Sequence, residues 1–98
     1  MNKTPQRIVI EETQGFLDKV LDHIIENETV KYRQDLIDVL LETQKTLNDE
    51  KVDLDRLDEM IFGIFRVVTD NDLLEQSPTG QDLLILIEKL RQVFKLLE

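Results

Sequence analysis

Ninety-eight residues with a formal charge of −9 leave room for one core and give a surface hostile to polyanions. Nucleic acid and anionic lipid both need a basic face on their partner, so both are disfavoured. There is no cysteine, which removes disulfides, thiolate metal centres and cysteine chemistry.

The N-terminal Ile8-Val9-Ile10 is too short to be the core of a signal peptide. The longest apolar run, Leu83 to Ile87, is five residues, where a membrane span needs about 20. The expected compartment is the cytoplasm. With three Gly and two Pro in the whole chain, long regular elements are expected.

The first predicted helix covers about residues 5–27. Thr4 can cap it, and Pro5 suits the first helical position, where a backbone N–H is not needed. Ile10, Leu17 and Ile24 recur every seven residues, with Val20, Leu21 and Ile25 beside them. Gly15 lies inside this pattern, either as a tolerated defect or to admit a close neighbour. Asn27-Glu28-Thr29 breaks the helix, with Thr29 as the next cap.

The second helix is predicted over about 30–47, burying Leu36, Ile37, Leu40, Leu41 and Leu47. After the polar turn Asn48-Asp49-Glu50-Lys51, Asp53 reads as the cap of a third helix over 54–69. Val52 and Leu57 have the spacing of a hydrophobic staple. The third helix carries Leu57, Ile61, Ile64 and Val68 on one stripe, widened by Met60 and Phe65. Phe62 and Val67 lie toward the other side, so its apolar arc is unusually wide.

Asp70 to Gly80 reads as irregular, with Leu73 and Leu74 in a short turn that needs a cover. The fourth helix is predicted over 80–97, starting near Thr79 with Asp82 in a capping-box position. It buries Leu83, Ile87, Leu90, Phe94 and Leu97, with Leu86 and Val93 beside them and Leu84 and Ile85 extending the apolar arc. Four amphipathic segments with short links predict one all-α domain over 1–98, an antiparallel four-helix bundle.

No catalytic constellation emerges, and the chain is expected not to be an enzyme. Asp70-Asn71-Asp72 opens like an EF-hand loop, but Leu74 and Glu75 stand where an oxygen ligand and a glycine are required. The lone histidine, His23, has Val20 three residues before it, so no Glu-x-x-His pair exists for a di-iron site. Zinc lacks both cysteines and a second histidine. No metal and no cofactor are expected, and His23 reads as a boundary residue with a satisfied ring. Function then falls to surface recognition. Three features stand out. The first is the acidic stretch Asp49, Glu50, Asp53, Asp55, Asp58 and Glu59. The second is the apolar excess of helices three and four. The third is the neutral last helix, where Lys89, Arg91 and Lys95 balance Asp82, Glu88 and Glu98.

The stretch Lys31-Tyr32, Asp35-Leu36-Ile37-Asp38-Val39-Leu40, Leu47 to Lys51 and Leu54-Asp55 resembles the enterocin A and pediocin-like bacteriocin immunity proteins, over about residues 30–60. The resemblance implies a cytoplasmic four-helix bundle that protects a producing bacterium from its own membrane-active peptide. It implies action at the inner membrane face, on the sugar permease that serves as the peptide's receptor, with specificity set by the C-terminal half. The expected partner-binding residues are Phe62, Val67, Leu73, Leu74, Lys89, Arg91 and Lys95. The competing readings are an acidic inhibitor of a basic toxin, which the charge favours, and a self-associating helical module. A monomer or weak homodimer is expected.

Overall fold

A computed structural model describes residues 4–27 and 33–98. Its helices are α1 (Pro5–Glu26), α2 (Arg33–Asn48), α3 (Leu54–Thr69), α4 (Asp72–Gln76) and α5 (Pro78–Leu97). The expected cap at Thr29 and helix start at Val30 lie outside the described residues.

Each long helix carries apolar side chains at helical period, and side-chain caps close the starts of α1, α3 and α5. Thr4 caps α1 by accepting from the Arg7 N–H at 3.2 Å. Asp53 caps α3 by accepting from the Arg56 N–H at 3.2 Å. The buried stripe of α1 is Ile10, Thr13, Leu17, Val20, Leu21 and Ile24. In α2 it is Leu36, Leu40, Thr43, Thr46 and Leu47, and in α3 Leu57, Ile61, Ile64 and Val68. Thr13, Thr43 and Thr46 are tolerated in the core because each hydroxyl donates to the carbonyl four residues back, at 2.8 Å in every case.

Cross-helix bonds give the helix directions. Between α1 and α2, Gln14 Nε2 donates to the Leu47 carbonyl, Gln44 Nε2 to Asp18, and Arg33 to the carbonyls of Ile24 and Ile25. As one number rises the other falls, so the helices run antiparallel. Arg33 also satisfies two orphan carbonyls at the α1 C-terminus, where the helix dipole favours a cation. Arg56 of α3 donates to Glu42 of α2, and Gly63 of α3 lies beside Val39. His23 near the end of α1 meets Thr79 at the start of α5, with 3.0 Å between Nε2 and Oγ1. The four long helices form a square, α1–α2–α3–α5, and the diagonal pairs make no close backbone contact. The molecule measures 43 × 23 × 19 Å, elongated along the helix axes.

The region expected to be irregular holds a short helix, α4. Asn71 caps it, its Oδ1 accepting from the Leu74 N–H, while its buried Nδ2 has no partner among the described residues. The last helix starts at Pro78, capped by Ser77 rather than Thr79. The Ser77 hydroxyl accepts from the Gly80 N–H at 3.0 Å and donates to the Leu74 carbonyl at 2.6 Å. Gly80 is thus the third helical residue, and Asp82 has no place in a capping box. Thr79 turns inward to His23 instead. Gly80 is required by packing, since a Cβ there would lie 1.7 Å from the Leu74 carbonyl oxygen. Gly15 has open space around it, so it admits no close neighbour and is a tolerated defect.

Several expected core residues lie outside the core. Ile25 and Leu41 are exposed, as are Phe65 and Ile85. They flank the buried stripes by one position, and in a square bundle each helix buries a narrower arc than its apolar residues span.

Candidate protein-binding seam

Among the described residues, the exposed aromatic rings lie along the contact of α3 with α5. On α3, Asp58, Ile61, Phe62 and Phe65 follow helical spacing and form a second stripe sharing Ile61 with the core stripe. On α5, Arg91 and Phe94 face them, one turn apart. Together they line an open cleft of about 160 Å³. Phe62 is 60% exposed and Phe65 39%, while Phe94 is half-buried against the core.

Charge on this seam is sparse and local. The Arg66 guanidinium sits 5.9 Å from the centre of the Phe62 ring, at the outer range of a cation–π contact. Arg91 Nη1 is 3.5 Å from Glu88 on its own helix, with both side chains exposed, so the pair is weak and the guanidinium keeps donors for a partner. Asp58 makes no ion pair among the described residues. The cleft lining therefore offers three aromatic rings, the Asp58 carboxylate and the Arg91 guanidinium on a two-helix base, with Arg66 and Glu88 beside it. Phenylalanine and arginine are both enriched at protein interfaces relative to the rest of the surface.

Of the residues expected to bind a partner, the structure brings Phe62 and Arg91 together, with Lys95 one turn beyond Arg91. The others lie elsewhere. Leu74 is buried under α4 and cannot touch a partner, because Gly80 lets the α4 backbone settle directly onto α5. Val67 is half-buried against the core, roughly 140° around α3 from Phe62. Leu73 is 79% exposed but stands on α4, away from the cleft. Lys89 belongs to another seam, its Nζ 5.4 Å from the Phe16 ring of α1. Phe65 and Phe94 read as core in the sequence, and Asp58 enters there only as part of the acidic stretch. The Asp58–Ile61–Phe62–Phe65 spacing was the available signal for the α3 part.

No family model matches the chain, and comparison with curated proteins and with solved structures gave no match.

Proposed function

We propose that this chain is a non-catalytic binding protein that engages a protein partner through the α3–α5 seam. Its specific role, in our reading, is immunity to a membrane-active bacteriocin. The observation that carries the binding role is the pair of exposed rings Phe62 and Phe65 on α3, beside the half-buried Phe94 and the exposed Arg91 of α5. Exposing such rings to water is unfavourable unless something covers them. The immunity role is supported by the residues that resemble pediocin-like immunity proteins, and by the seam's place in the C-terminal half. The partner in this reading is the sugar permease carrying the peptide, reached from the inner membrane face.

The test is a chimera expressed in bacteriocin-sensitive cells. Residues 1–52 of this protein are joined to the second half of a related immunity protein, and the reverse fusion is made as well. Protection should follow the donor of the second half. The Phe62→Ala/Phe65→Ala double variant of the parent should stay folded and lose protection. Protection that follows residues 1–52 would overturn the reading, as would no protection against any peptide in a pediocin-like panel. A dimer in sedimentation velocity that dissociates in the double variant would replace it with self-association.

A further inference from the structure

The end of the bundle where α2 turns into α3 holds a larger concavity than the seam. It is an open groove of about 670 Å³, within the range of ligand sites. Its floor is apolar, made by Ile10 of α1, Val52 and Leu54 at the start of α3, and Leu97 at the end of α5. Its rim carries Asp49, Glu50, Lys51 and Asp53 from the turn, Asp55 from α3 and Arg7 from α1. Arg7 is shared, its Nε lying 3.6 Å from Glu11. Asp53 is occupied as the cap of α3. Asp49, Glu50 and Asp55 are exposed and make no ion pair among the described residues.

An apolar floor beneath unpaired carboxylates selects one ligand chemistry. Oligolysine would satisfy the rim and leave the floor wet. An uncharged apolar ligand would cover the floor and leave the carboxylates beside it, partly desolvated and without partners. We infer that this groove docks a cationic amphipathic peptide segment, with an aliphatic or aromatic side chain on the floor and flanking Lys or Arg at the rim. The chain's net charge of −9 draws such a segment in from a distance. This site stands apart from the seam. Asp55 and Leu97 line the groove, while Asp58 and Phe94, one turn along the same helices, line the cleft.

The probe is a capped amphipathic Leu/Lys peptide, titrated into the full chain by calorimetry at low and raised salt. Capped oligolysine and a Leu/Glu peptide are run alongside it. The Leu/Lys peptide should bind, more weakly as salt rises, and both controls should bind at least about tenfold more weakly. Asp49→Asn/Glu50→Gln/Asp55→Asn should cost about tenfold or more in affinity and flatten the salt dependence. The charge-matched Glu12→Gln/Asp22→Asn/Glu26→Gln on α1 should cost much less. Leu54→Gln should weaken binding and keep the salt dependence, while Phe62→Ala/Phe65→Ala should leave binding unchanged. Three results would overturn the inference: oligolysine binding as well as Leu/Lys, equal losses from the two charge triples, or loss in the seam variant. Far-ultraviolet circular dichroism and a melt of each variant separate loss of binding from loss of fold.

Discussion

Gly80→Ala tests the packing of α4 on α5 most directly. The added Cβ would stand 1.7 Å from the Leu74 carbonyl oxygen, 2.6 Å from its carbon and 2.9 Å from the Glu75 Cα. All three are backbone atoms, so no side chain can swing aside, and α4 must lift. Lifting exposes Leu74, now 6% exposed, at a cost of about 1.5–3 kcal/mol for a fully released leucine. It also breaks the bonds from the Ser77 N–H and hydroxyl to the Leu74 carbonyl, at 3.1 and 2.6 Å, each worth about 0.5–1.5 kcal/mol. Alanine returns about 1 kcal/mol of helix propensity. The net expectation is a loss of about 1.5–5 kcal/mol, against a total of about 5–15 kcal/mol for an ordinary domain. Urea unfolding followed by circular dichroism should show a lower midpoint at an unchanged slope. A neutral or stabilising Gly80→Ala would mean that α4 does not rest on the first turn of α5, and the account of this junction would fail.

Gly15→Ala should move the same midpoint the other way, by up to about 1 kcal/mol, because the site is an exposed helix interior with open space around it. Leu40→Ala should cost about 2–5 kcal/mol as a large-to-small change at a fully buried position. Its neighbour Leu41→Ala, at an exposed position, should change stability by about 0.5 kcal/mol or less. The Arg56 Nη2 donates to Glu42 at 2.6 Å, and this hydrogen bond, with the attraction between the charges, holds the Glu42 carboxyl below its ordinary pKa. The stability this pair provides is therefore present above the ordinary glutamate pKa and lost as pH falls through the depressed one. A carboxyl-detected NMR titration should place Glu42 below the ordinary glutamate value, and Arg56→Gln should raise it back toward that value.

The long helices were legible because their signal is redundant. Ile10, Leu17 and Ile24 repeat the same face three times, and Thr4 and Asp53 mark starts with residues that do little else there. The α4–α5 junction was not legible, for two reasons. Five residues are too few to show a helical period, so α4 looked like a turn. Ser77 and Thr79 are both good caps, and Asp82 made the later one plausible. Pro78 could have decided it, since proline favours the first helical position. The seam was half legible. The wide arc of α3 pointed to Phe62, but hydrophobicity alone cannot tell the edge of an arc from its centre. Phe65 was therefore assigned to the core, and Val67, which packs against it, to the surface.

The location of the phenylalanines bears on what the seam is for. Among the described residues the core is built almost wholly of leucine, isoleucine and valine, and none of the fully buried side chains is aromatic. The chain has four phenylalanines, and three of them line the α3–α5 cleft. Packing does not require a ring at a position that is 60% exposed, as Phe62 is; a polar helix former there would serve solubility better. Phe62 and Phe65 thus contribute least to the fold among the large apolar residues of α3, while offering the most area to a partner. The helices beneath them are fixed by side chains that never reach the surface, Leu57, Ile64 and Val68 on α3 and Leu83, Leu86 and Leu90 on α5. Recognition at the seam can therefore vary by exchange of Phe62, Phe65 or Arg91 with little effect on stability, because the side chains that hold α3 against α5 point the other way.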